Sequence, residues 1–207
     1  GRATAQTGIG LVLRTHTCGE LGLEHVDQEV TLCGWVDTTR DHGGAVFIDL
    51  RDRYGKTQVV AGPEAGPKLV EEASRVRGEY VLRVTGQVRP RPEGATNPKL
   101  ATGAIELRAT RLEVLNPCAV LPFAPSQQEL PGEDLRLRHR YLDLRRPEMQ
   151  RTMLLRNRIV KVMRDYFDEH QFIDVETPML GRSTPEGARD YLVPSRVQRG
   201  KFYALPQ

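Results

Sequence analysis

Between Glu29 and Asp37 apolar and polar positions alternate, with Val30, Leu32 and Val36 on one side and Thr31, Cys33 and Trp35 on the other. A period of two predicts a strand, and Gly34 marks a bend or bulge within it. Arg40-Asp-His-Gly-Gly44 reads as a turn. A second strand runs from Val46 to Arg51 with Val46, Ile48 and Leu50 on one face. After the turn at Arg53-Tyr-Gly-Lys56, a third covers Thr57 to Ala61. Pro67 to Arg77 places Leu69, Val70, Ala73 and Val76 at helical spacing, with Pro67 near the start, where a missing N–H is tolerated. Tyr80 to Arg89 and Ile105 to Leu115 supply two more strands, separated by a loop rich in Pro, Gly and Asn.

Five strands with one helix between the third and fourth is the order of an all-β OB-fold barrel. An immunoglobulin-like sandwich would need more strands and no such helix. The barrel is assigned to residues 14–116, after a flexible N-terminus at 1–13. Asn116 to Gly132 carries Pro117, Pro122, Pro125 and Pro131 without a regular period, which predicts an ordered linker or hinge, set at 117–134. Residues 135–207 then open a second, α+β domain. Leu135 to Leu144 is a short helical segment, interrupted at Arg145-Arg-Pro147 because a residue before proline is pushed out of the helical region.

From Glu148 to His170 the helical period is strong. One stripe is Met149, Met153, Val160, Met163 and Phe167, and a second is Leu155, Ile159, Val162 and Tyr166. Such a helix is ~35 Å long at ~1.5 Å per residue. Its apolar face is wider than one contact needs, which points to cover from its own domain and from a second subunit. Phe172 to Leu180 reads as a short apolar strand ended by Pro178.

Composition narrows the classes. With 207 residues there is room for one large or two small domains with buried cores. No apolar run approaches the ~20 residues of a membrane helix. The first ten residues lack the apolar centre of a secretory signal, and position 1 is Gly rather than Met, so the start is trimmed, tagged or incomplete. The expected compartment is cytoplasmic. Cys18, Cys33 and Cys118 are too widely spaced for a zinc ribbon or redox pair and read as buried free thiols. The five histidines are scattered likewise, so no structural metal is expected. Of the net charge of +3, none comes from the barrel: 15 basic residues face 16 acidic ones up to Leu130, against 15 and 11 from Pro131 onward. RNA binding by the first part would therefore depend on a few placed side chains.

Two constellations suggest chemistry. Alternation sends Phe47 to the face opposite Val46, Ile48 and Leu50. An aromatic on the open face of an OB barrel is a platform for base stacking. Gln58 on the next strand offers both donor and acceptor to an unpaired base edge, and Arg40, Arg89 and Arg91 can reach phosphates or bases. The plainer reading is that Phe47 covers a hydrophobic flank under the linker. In the second constellation, Pro185 and Gly187 bracket Glu186 in a loop with Arg189, Asp190 and Arg196 close by. A carboxylate on a glycine-flanked loop suits capture of a substrate ammonium; a solvated surface turn is the other reading.

The run Thr184-Pro-Glu-Gly-Ala-Arg-Asp-Tyr-Leu-Val-Pro-Ser-Arg196, followed by Gly200-Lys-Phe-Tyr-Ala-Leu-Pro-Gln207, resembles the aspartyl-tRNA synthetases of bacterial type. The resemblance extends back to Arg14. It implies that Glu186 binds the α-amino group of L-aspartate, and that Arg40, Phe47, Gln58, Arg91 and Asn97 contact the tRNA anticodon. His42 and Gly94 resemble the pair in non-discriminating members, which charge both tRNA-Asp and tRNA-Asn. Helix, strand and proline resemble the first class II motif, which implies a homodimer through Met153, Val160, Met163, Phe167 and Pro178. One departure stands out: Asp37-Thr-Thr-Arg40 replaces the family's Asn or Gln followed by three arginines. Two basic contacts are missing, so backbone affinity is lower or supplied elsewhere.

By resemblance the full-length enzyme uses ATP and Mg²⁺ to form aspartyl-adenylate and transfers aspartate to the tRNA 3′ end. The family's further aspartate-gripping residues and its ATP-binding arginines lie beyond Gln207. The chain as given is therefore expected to show no aminoacylation. A stand-alone OB-fold RNA-binding module that dimerises through the 148–170 helix is the alternative, and the Glu186 loop separates the two.

Overall fold

The computed structural model describes residues 13–183 and 190–205. Five strands, β1 (Glu29–Asp41), β2 (Val46–Arg51), β3 (Lys56–Ala61), β4 (Val81–Pro90) and β5 (Ile105–Asn116), form a closed barrel in the order β1-β2-β3-β5-β4. Pairing is antiparallel except between β3 and β5. Closure removes the exposed edges that a small open sheet would carry. The helix α1 (Pro67–Ser74) follows β3, with Pro67 in its first turn and Leu69 and Ala73 buried. This is the OB-fold expected from the alternation.

The core is the inward set from each strand: Val30, Leu32 and Val36, then Val46, Ile48 and Leu50, then Val59, Leu82, Val84 and Leu107, all at most 2% exposed. At about 25 cal/mol per Å² of apolar area, each such side chain contributes about 1.5–3 kcal/mol. Cys18 joins this core, whereas Cys33 and Cys118 are only half-buried. Expecting all three to be buried was wrong for those two. Cys33 follows the inward Leu32 in β1, so the pleat turns it outward.

Gly34 is no bulge. It pairs regularly with Leu82, and its role is close approach: a Cβ there would lie 2.5 Å from Arg51 O. The irregularity falls three residues later, where the β1–β2 register steps from Val36↔Leu50 to Thr38↔Asp49. Asp37 is thus an extra residue, a β-bulge. Its carboxylate is 4% exposed and meets Lys56 Nζ at 2.5 Å and Arg51 Nη1 at 3.4 Å, while Arg51 Nη2 reaches Glu79 Oε1 at 2.6 Å.

The compact units divide between Leu142 and Asp143. Two helices, α2 (Glu133–Arg138) and α3 (Arg140–Asp143), separated at His139, replace the single expected one. In the second unit, Arg146 binds Asp143 and Glu148 at 3.3 and 3.1 Å at the start of α4 (Pro147–Glu169). No residue of α4 is buried. A hairpin of β6 (Tyr191–Pro194) and β7 (Phe202–Leu205) completes the described residues.

The expected strand at Phe172–Leu180 is not formed. A strand exists only through hydrogen bonds to a neighbour, and none of the described residues pairs with this segment before the bridge at Gly181 to Ala204. Ile173, Val175 and Met179 are 86, 70 and 83% exposed.

Candidate nucleic-acid interface

The bulge at Asp37 decides what the barrel's outer face presents. Before it, the even-numbered residues of β1 point inward; one extra residue inverts the alternation. Thr39 then pairs with the inward Ile48, while Thr38 and Arg40 stand opposite Asp49 and Phe47 on the outside. Arg40 is therefore the penultimate residue of a strand, not part of a turn as the sequence suggested. The turn is confined to His42–Ala45, closed by the His42 amide donating to Ala45 O at 3.0 Å, with Gly43 and Gly44 at φ of +62° and +112°.

The outer face continues across the sheet. Phe47 is half-buried and pairs with Val60; Asp49 pairs with Gln58. Parallel pairing of β3 with β5 brings Glu106 beside Gln58 and Arg108 beside Val60. The array is thus an aromatic ring bordered by an amide, two carboxylates and two guanidinium groups.

Most of these groups are tied to one another. Arg40 Nη2 donates to Asp49 Oδ1 at 3.1 Å, and Thr38 Oγ1 donates to Asp49 Oδ2 at 2.7 Å. Gln58 is 8% exposed, and its Nε2 donates to Glu106 Oε2 at 3.4 Å. With Nε2 committed to a carboxylate, Gln58 keeps its carbonyl oxygen and one N–H for a ligand. Arg108 Nε lies 3.5 Å from Glu106 Oε1. Arg89 is not available in the way expected: it lies in β4 and its guanidinium is bound to Asp27 and Gln87.

The β4–β5 loop carries the remaining residues. Arg91 Nε donates to Ile105 O at 3.0 Å, while its Nη2 is buried with no partner. An orphan buried donor costs about 1–3 kcal/mol. Asn97 is half-buried; its amide donates to Gly103 O at 3.0 Å and its Oδ1 accepts from Lys99 N at 3.1 Å. A Cβ on Gly103 would fall 1.8 Å from Asn97 O, so glycine is needed there to let the loop fold onto itself. Gly94 has φ +79°, with open space where a side chain would stand. His42 is exposed and its ring meets Phe47 edge-on, with centroids 5.4 Å apart.

Asp49 and Glu106 were missed from sequence. Asp49 was within reach of pattern reasoning, since it sits two residues from Phe47 on the same face. Glu106 was not, because only the non-local β3–β5 pairing places it.

In the second unit, Met153, Val160, Met163 and Phe167 are 50, 40, 55 and 46% exposed, and Pro178 is exposed as well. Glu186 lies outside the described residues. The segments flanking it are joined by Ser183 Oγ, which donates to Asp190 Oδ2 at 2.9 Å. Among the described residues no cluster of three His, Cys, Asp or Glu side chains could hold a metal ion. No helix there is long and apolar enough to cross a membrane.

Comparison with known proteins matches residues 30–115 to the OB-fold nucleic acid binding domain and residues 132–207 to the tRNA synthetases class II (D, K and N). The chain belongs to the class II aminoacyl-tRNA synthetases. An aspartate–tRNA(Asp/Asn) ligase of Rhodopirellula baltica is 63% identical over 95% of this chain and 33% of its own length. A protein of the same name from Salinibacter ruber is 57% identical over 94% and 32%. This synthetase chain thus spans about a third of the length of the curated relatives it matches. Among solved structures it is similar to the asparaginyl-tRNA synthetase of Pyrococcus horikoshii complexed with asparaginyl-adenylate, at TM-score 0.75 and 25% identity, over 89% of this chain and 40% of that one. It also shares its fold with the aspartyl tRNA synthetase of Entamoeba histolytica, at TM-score 0.67 and 20% identity, over 78% and 39%.

Proposed function

We propose that this chain is the anticodon-reading part, with the start of the catalytic domain, of an aspartate–tRNA ligase that charges both tRNA-Asp and tRNA-Asn. The carrying observation is the outer barrel face, where a half-buried Phe47 shares the sheet with Arg40 and the Gln58–Glu106 pair, together with the β4–β5 loop that bears Arg91 and Asn97. A base unstacked from an RNA loop would lie on Phe47, with Gln58 hydrogen-bonding its edge. Arg91, half-buried at the start of this loop, would donate to a neighbouring base or phosphate from the exposed Nη1 side of its guanidinium.

Discrimination between the two tRNAs rests on the third anticodon base, C in one and U in the other. The names of the relatives, aspartate–tRNA(Asp/Asn) ligases, and the open space at Gly94 support a site that accepts both. Glu186 would hold the α-amino group of L-aspartate. In the whole protein, ATP and Mg²⁺ drive formation of aspartyl-adenylate. The described residues offer no ligand set for that ion, and no step through it is assigned to them.

The apolar faces of α4 support a homodimer. Sedimentation velocity checks this: a Val160→Asp variant should be monomeric, and a wild-type chain that is already monomeric counts against it. The RNA reading is tested by fluorescence anisotropy with two labelled hairpins whose loops carry GUC and GUU. Both should bind the chain with similar affinity and more tightly than a loop with a different central base. Equal binding of all three would overturn the reading.

A further inference from the structure

His42 is the residue that follows β1, two positions beyond Arg40. Because Arg40 pairs with Phe47, His42 and Phe47 are diagonal neighbours on one face, a separation that aromatic side chains span. The bulge at Asp37 gives this face to Arg40, and the tight turn through Gly43 and Gly44 holds His42 at its rim. The two rings lie 5.4 Å apart and 77° from coplanar. In such a perpendicular pair the positive edge of one ring meets the negative face of the other. The ladder partners of Phe47 are the aliphatic Val60 on β3 and Arg40 on β1, whose guanidinium is turned to Asp49. His42 is the ring partner of Phe47 among the described residues.

We infer that His42 is a positioning residue, acting on RNA through Phe47 by fixing the tilt of its ring rather than by touching a base itself. A Phe side chain half-open to water samples several ring orientations, and a base that stacks on it must freeze them out. A perpendicular neighbour removes part of that freedom before the RNA arrives. The inference deepens the proposed reading and rests on it, because it requires Phe47 to be the stacking platform. It also specifies the chemistry needed at position 42: a second flat ring rather than a hydrogen-bonding group.

The test is a double-mutant cycle on the full chain, with the GUC-loop hairpin as probe. Binding is measured for wild type, H42A, H42F, F47A and the H42A/F47A pair. The perpendicular contact, worth about 0.5–1.5 kcal/mol, corresponds to a loss of about 2- to 12-fold for H42A. H42F should restore most of it, and H42A should cost nothing further once Phe47 is gone. In the RNA-free chain, the Phe47 ring resonances should shift in H42A and return toward their original positions in H42F. Equal losses from H42A with and without Phe47, or an H42F variant as weak as H42A, would show a direct base contact and overturn the inference. If F47A alone left binding intact, the platform reading would fall and this inference with it. That outcome is visible in the F47A measurement alone, so the two failures are distinguishable.

Discussion

Arg40 stands directly across from Phe47 in the β1–β2 ladder because Asp37 is one residue too many for a regular strand. Without that bulge the alternation of β1 would place Arg40 on the face of Ile48 and Thr39 on the face of Phe47. The bulge is held by charge: Asp37 is buried against Lys56 and Arg51, and Arg51 is shared with Glu79. The acidic side chain and Lys56 act together here, at 2.5 Å.

Asp37→Ala should destabilise the barrel by up to about 3 kcal/mol, since it leaves Arg51 and Lys56 without a shared anion. Urea unfolding of the variant measures this directly. An unchanged midpoint would mean that the network is dispensable and that backbone pairing alone sets the bulge.

Glu106 should matter for selectivity more than for affinity. It accepts from Gln58 Nε2 and so decides which way round the amide is presented. Glu106→Ala frees the amide to flip. The preference for the correct central base should then shrink by about 1 kcal/mol, roughly fivefold in relative affinity. The measurement is competition between hairpins differing at that base. A preference as large as wild type would show that Gln58 is oriented by something else.

Cys18 gives a pH signature. Burial pushes its thiol up, and the nearby Asp52 carboxylate adds to the effect. The folded chain therefore keeps the proton at pH values where the unfolded thiol, with a pKa near 8.5, gives it up. This contribution is intact below about pH 8.5 and is lost above it, at about 1.4 kcal/mol per pH unit. Unfolding free energies taken across that range should fall more steeply for wild type than for Cys18→Ala, whatever the variant's stability at neutral pH. Parallel slopes would contradict the assignment.

The barrel was legible in the sequence because each strand has one wet and one dry face, so Val30, Ile48 or Leu107 reports its own orientation through its neighbours. The same local logic placed Phe47 outside the core. It failed wherever orientation depends on a partner strand. The bulge at Asp37 is a mismatch between two strands, invisible in either alone, and Arg40 was misread as a turn residue for that reason. Glu106 owes its place beside Gln58 to a parallel pairing between strands some forty residues apart. Conversely, the apolar run from Phe172 was read as a strand on composition, although a strand needs a ladder partner. At four residues each, β6 and β7 are too short to show a period, and their hairpin was not anticipated.

The most direct test of the account is the affinity of Phe47→Ala for the GUC-loop hairpin, set beside a conservative substitution on a different face of the barrel. Base–aromatic stacking worth about 1–3 kcal/mol predicts binding weaker by about 5- to 150-fold with the fold intact by circular dichroism. An affinity within error of wild type would show that RNA does not engage this face.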